Sequence, residues 1–165
     1  MKDKILHYAK EIVLFIVIMT FVANVISLYK SSDLVKTPFN LTNITLLDGS
    51  EFTIDNSKPL LLHVWATWCP TCKLEASNID TISKNYQVLT VAVKSGTNRE
   101  IEKFLSENNL NFNVSNDSSG LIAQKLNVAV YPTTFIYDKN GEIVFSDVGY
   151  TSTWGLWLRM WWASF

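Results

Sequence analysis

Cysteine is scarce: the 165 residues contain two. That excludes a disulfide-rich scaffold and a four-cysteine zinc site within one chain. An excess of basic charge is also missing. Fourteen Lys and Arg stand against fifteen Asp and Glu, for a net charge of −1. Nucleic-acid binding therefore has no electrostatic footprint. Charged residues make up only 18%, against 48% hydrophobic. A chain this apolar buries enough surface to offset its ordering entropy, which excludes intrinsic disorder. Internal repeats and low-complexity segments are absent, and the length suits one domain of ordinary size.

The apolar residues are unevenly spread. Residues 12–28 read IVLFIVIMTFVANVISL, without a formal charge. At ~1.5 Å per residue the run covers ~25 Å, the low end for a bilayer crossing. Lys10 and Lys30 flank it and can snorkel outward. An uncleaved anchor is the preferred reading. A cleaved signal peptide is the alternative, although the run is long for one and no small-x-small cleavage site follows it. Lys2, Lys4 and Lys10 precede the run, while Lys30 and Lys36 follow, which favours a cytoplasmic N-terminus. Residues 1–30 are thus expected to form the anchor, 31–36 (SSDLVK) a polar tether and 37–165 the soluble domain.

Within that domain, residues 39–47 and 51–54 read as a hairpin around Asp48-Gly49. Residues 60–65 are a nearly continuous apolar run, as expected of a central strand covered on both faces. A helix over 72–86 follows, with Leu74, Ile79 and Ile82 among its apolar positions, then a buried strand over 88–93. Helices are expected at 98–107, with Ile101, Phe104 and Leu105 inward, and at 121–126. Residues 133–137 and 142–146 form a second hairpin, and a last helix begins near Trp154. Strands alternating with helices imply an α/β fold with a mixed central sheet and helices on both faces.

The two cysteines are Cys69 and Cys72, in the run WATWCPTCK at residues 65–73. The run follows a buried strand and opens a helix. Cys69 would sit at the helix N-terminus, where free N–H groups and the dipole favour a thiolate. Cys72 lies one turn in, near enough to resolve a mixed disulfide formed on Cys69. Pro70 suits a first helical turn, where a missing N–H costs nothing. The same pair could form half of a zinc site, but two further ligands are needed. The only histidines are His7, beside the apolar run, and His63, in a strand. Redox chemistry is the preferred reading, and a copper- or zinc-handling protein using Cys69, Cys72 and His63 is the alternative.

WATWCPTCK resembles the active site of thioredoxin-fold proteins, and Val130-Tyr131-Pro132-Thr133-Thr134-Phe135 resembles their second signature. With the apolar run and the hairpin before the catalytic strand, the chain is most similar to membrane-anchored thiol–disulfide oxidoreductases of bacterial envelopes, the TlpA, ResA and DsbE relatives. Residues 149–156 (GYTSTWGL) further resemble the ScsD branch. The resemblance implies a thioredoxin-like domain on the outer side of the cytoplasmic membrane. Protein thiols and disulfides would be its substrates, and a membrane thiol donor or an oxidase its redox partner. No organic cofactor is implied. It also implies that Pro132 is cis and faces the cysteines, so that Tyr131 and Pro132, with Trp68, Pro70 and Thr71, position the substrate. Relatives that reduce apocytochrome c often carry a glutamate in the C-x-x-C loop; Pro70-Thr71 lacks one. The Pro-x-x-x-Thr/Ser-x-x-Cys pattern of peroxiredoxins is absent before Cys69.

His63 occupies the place where thioredoxins carry a buried acid. It reads either as a proton shuttle or as a core histidine satisfied by a hydrogen bond. Trp65 is expected in the core. The final helix carries Trp154, Trp157, Trp161, Trp162 and Phe165. Core packing against the sheet is the preferred reading for these rings, and a face at the membrane interface is the alternative.

Overall fold

The computed structural model describes residues 8, 10–15, 18, 19, 22, 34 and 44–165. The expected span at 12–28 falls largely outside that set; its described positions 12–15, 18, 19 and 22 are helical and exposed. Among the described residues, no helix is long and apolar enough to cross a membrane. Most of the expected tether is also outside the set, although its Leu34 is buried, at 7% exposure.

Strands β1 (Ile44–Thr45) and β2 (Glu51–Phe52) form a small antiparallel hairpin. Gly49 takes the left-handed backbone at φ +84° that the turn needs. Both strands end earlier than the sequence suggests, β1 at Thr45 and β2 at Phe52, while residues 39–43 of the expected first strand lie outside the described residues. The Leu47 N–H donates to the Val114 carbonyl at 3.1 Å, so the chain leaves its hairpin partner for the main domain.

Strand β3 (Leu60–Trp65) is buried at all six positions. It pairs in parallel with β4 (Gln87–Val93) and antiparallel with β6 (Thr133–Tyr137). β5 (Asn113–Asp117) and β7 (Ile143–Val148) form the edges, giving the order β5-β4-β3-β6-β7. β5 was not legible in the sequence, because NVSND has no apolar alternation. It is held instead by parallel pairing to β4 and by its buried Asp117, which accepts the Ala123 N–H at 2.9 Å.

Alternation along β3 feeds two cores, as a strand's period of two requires. Leu61 and Trp65 face α1 (Pro70–Ser83), α2 (Asn98–Glu107) and α4 (Thr153–Ala163), which contribute Ile79, Ile82, Ile101, Leu156 and Met160. Leu60, Leu62 and Val64 face the other way, against Ala123 of α3 (Leu121–Lys125), Ile44 and Leu34. Ile101 is fully buried, with Phe104 and Leu105 packed at the margin of its cluster. Of the apolar positions of α1, Ile79 and Ile82 are buried, whereas Leu74 is 72% exposed on the outer face.

The last helix brings a larger correction. Its core stripe is Leu156, Met160 and Ala163, spaced four and three apart, and this stripe packs on α1 and β6. Trp154, Trp157, Trp161, Trp162 and Phe165 point outward. The five aromatics do share a broad face, but it is Leu156, Met160 and Ala163 on the opposite side that fill the space beside the sheet.

Candidate active site

The turn from β3 into α1 is built by backbone hydrogen bonds. The Thr67 N–H donates to Ser95 Oγ at 3.0 Å, and the Cys69 N–H to the Ala66 carbonyl at 3.2 Å. α1 starts at Pro70, two residues earlier than expected, because Cys69 serves as its N-cap. The Cys72 N–H donates to Cys69 Sγ at 3.2 Å, so the sulfur itself takes a donor that the helix leaves free. Cys69 and Cys72 are joined in a disulfide, with Cα atoms 5.3 Å apart.

The turn before β6 comes up against this pair. Cys69 Sγ lies 3.7 Å from the Tyr131 carbonyl oxygen, and the Tyr131–Pro132 bond is cis. Trp68 is 57% exposed and stands edge-on to the Tyr131 ring, with centroids 5.7 Å apart. Its indole N–H donates to the Lys94 carbonyl at 3.1 Å. Trp65 turns inward, and its indole N–H donates to Thr90 Oγ1 at 3.0 Å. The disulfide is therefore nearly covered, with Cys69 5% and Cys72 1% exposed. Trp68, Pro70 and Tyr131 form its rim, Thr71 is partly buried and Pro132 buried. Beyond Tyr131 opens a cavity of about 310 Å³, bounded by Val93, Lys94, Gly120 and Gln124.

His63 lies deeper in the sheet. It is opposite Thr134 in register, and its Nδ1 is 2.9 Å from Thr134 Oγ1. Burial holds its pKa down to about 3, so the ring is neutral at physiological pH. This arrangement favours the hydrogen-bonded core reading of His63.

Sequence reasoning missed Glu75. It is fully buried on the inner face of α1, three residues after Cys72. Oε1 accepts the Thr151 N–H at 3.1 Å, and Oε2 has no hydrogen-bond partner among the described residues. Burial, aided by the nearby Asp147, pushes its pKa up to about 8. Asp147 is itself raised by burial but paired with Arg159, whose Nε is 2.9 Å from Oδ2. The signal for Glu75 was its spacing: a residue three after Cys72 in a helix shares the inner face with it. Among the described residues no group of three or more His, Cys, Asp or Glu converges to hold a metal.

The sheet order, and a cysteine pair closing the first turn of the helix that leaves its central strand, place the chain among the thioredoxin-like thiol–disulfide oxidoreductases. Residues 37–146 match the AhpC/TSA family, and the chain belongs to it. It is 36% identical over 134 residues to a thioredoxin-like protein of Haemophilus influenzae, covering 78% of this chain and 80% of the relative. It is 30% identical over 111 residues to the sporulation thiol-disulfide oxidoreductase A of Bacillus subtilis, covering 62% and 67%. The crystal structure of StoA from Bacillus subtilis superposes with a TM-score of 0.61 at 25% identity, over 74% of this chain and 96% of that one.

Proposed function

We propose that Cys69 and Cys72 exchange electrons with protein thiols and disulfides of the bacterial envelope. In this reading residues 12–28 anchor the chain once in the cytoplasmic membrane and residues 31–36 tether the domain of residues 37–165 on the extracytoplasmic side. The observation that carries the redox reading is the seat of Cys69: its sulfur caps α1, accepts the Cys72 N–H and lies beside the Tyr131 carbonyl. A helix N-terminus and a donated N–H both stabilise the thiolate, which is the attacking species.

In the reducing direction, the Cys69 thiolate attacks one sulfur of a substrate disulfide. A mixed disulfide forms and the other substrate sulfur leaves as thiolate. The Cys72 thiolate then attacks Cys69 Sγ, closing the Cys69–Cys72 disulfide and releasing the second substrate thiolate. Two electrons and two protons from a membrane thiol donor restore the pair. Run backwards, the same steps oxidise substrate thiols, and an oxidase restores the disulfide. Tyr131 and Pro132 hold an extended substrate strand beside Cys69, while Trp68, Pro70 and Thr71 form its opposite rim. Glu75, which burial keeps protonated at neutral pH, shares the inner face of α1 with Cys72 and donates a proton to the Cys72 thiolate when the disulfide is opened.

The test is turnover of insulin with a dithiol donor. Cys69→Ser is expected to abolish it and Cys72→Ser to accumulate mixed disulfides. Stoichiometric copper or zinc binding without turnover would overturn the reading in favour of a metal carrier. The reduction potential of the pair against glutathione then fixes the direction of flow.

A further inference from the structure

The outer face of α4 is apolar without interruption. Trp154, Trp157, Leu158, Trp161, Trp162 and Phe165 are 80%, 44%, 57%, 43%, 66% and 80% exposed. At 3.6 residues per turn these side chains cover roughly 140° of the helix circumference, opposite the Leu156–Met160–Ala163 stripe. Arg159 is the only charged residue of the helix, and it is turned away to Asp147. A folded domain rarely leaves such a face bare, and an exposed apolar patch of this kind marks an interaction surface. The face extends into an open cleft of about 470 Å³ between α4 and the end of α1, lined by Ile82, Tyr86, Trp154 and Trp157.

We infer that this face rests on the bilayer interface, and that the occupant is lipid. Its composition is that of an interfacial surface, dominated by tryptophan, whose ring is apolar and whose N–H seeks an acceptor. Among the described residues, none of the four indole N–H groups of α4 has a hydrogen-bond partner, whereas those of Trp65 and Trp68 do. Lipid carbonyl and phosphate oxygens are acceptors at the depth where such rings settle. A bilayer is also close at hand. This inference rests on the proposed anchor: the apolar run ends at residue 28 and Leu34 is already packed in the core, so at most about 20 Å of extended chain joins them. A domain of this size has a radius of gyration near 14 Å, so a leash that short keeps it at the membrane surface. Leu34 packs on the face of the sheet opposite α4, so the helix reaches the bilayer with the sheet standing steeply to it.

The sequence supplies its own probe. All six tryptophans lie at positions 65 and above, and residues 12–28 contain none. Tryptophan quenching by lipid therefore reports on the domain and not on the anchor. The full chain is reconstituted in vesicles of phosphatidylglycerol with phosphatidylcholine brominated high in its acyl chains, and compared with the unbrominated lipid. Interfacial seating of four of the six indoles is expected to lower emission roughly twofold. The combined variant Trp154→Gln, Trp161→Gln, Trp162→Gln is expected to lose most of that difference while keeping insulin turnover, since these side chains support no core. Wild-type emission that is indifferent to bromine would overturn the inference, whether a second copy or the chain's own N-terminal residues cover the face. Equal quenching in the variant would also overturn it, by placing the lipid contact elsewhere. Alkaline carbonate extraction of the same vesicles reads the anchor separately. Retention without quenching defeats this inference alone, and quenching without retention defeats the anchor while the helix contact stands.

Discussion

Glu75 carries a carboxyl that water would hold ionised at neutral pH, and the fold removes the water. Its pKa rises from 4.5 to about 8, with burial the first cause. Between those values the folded chain holds a proton that the unfolded chain has lost, so stability falls as pH rises through the window. His63 works in the opposite sense. Burial lowers it from 6.5 to about 3, so over that range the unfolded chain binds the proton first and stability falls as pH drops. From about 4.5 to 6.5 the two slopes oppose each other, and a plateau is expected. Melting of the oxidised protein across pH 3–9 checks this. Glu75→Gln should remove most of the alkaline fall, a gain of up to a few kcal/mol by pH 8. His63→Asn should soften the acid fall. A Glu75→Gln curve that parallels the wild type from pH 6 to 9 would show that the buried carboxyl is not the titrating group. Cys69, Cys72, Trp68 and Tyr131 were legible in the sequence because their chemistry is local to two short motifs. Glu75 was not, because the groups it meets, the Thr151 N–H and the Asp147 carboxyl, are brought by the fold from more than seventy residues away.

At the scale of elements, legibility followed the source of each element's stability. α2 carries its own start signal: Thr97 Oγ1 accepts the Glu100 N–H at 3.3 Å, and Glu100 Oε2 accepts the Thr97 N–H at 2.7 Å. That reciprocal box fixes the helix start from four residues, and the sequence placed Asn98–Glu107 without error. Thr97→Ala should cost about 1 kcal/mol and lower Tm by several degrees, leaving insulin turnover unchanged. An unaltered Tm would mean that packing of Ile101, and not the cap, holds the helix. β5 is the reverse case. Its NVSND sequence has no strand signature, and it exists because β4 offers a free edge and Asp117 caps the start of α3 internally. α4 was found as a helix and turned the wrong way. Its apolar residues surround it, so periodicity fixed the helix without saying which stripe the sheet would take.

For the whole molecule, the chain combines a domain with a nearly covered disulfide and an apolar run at residues 12–28. Residues 12–28 carry no formal charge and as a helix would cover ~25 Å, the low end for a bilayer crossing. In the proposed reading they anchor the chain in that bilayer. Such an anchor would confine Cys69 and Cys72 to a layer where membrane-borne thiol donors or oxidases meet them by diffusion in two dimensions. The intact protein is expected to sediment with cell membranes and to resist alkaline carbonate. Lys10 and Lys30 should bracket the protected segment, with the domain open to protease added outside the cytoplasmic membrane. A soluble form cut after the apolar run and released from the membrane would show the run to be a signal peptide. The exchange chemistry of Cys69 and Cys72 would stand unchanged, but their partners would then have to be soluble carriers.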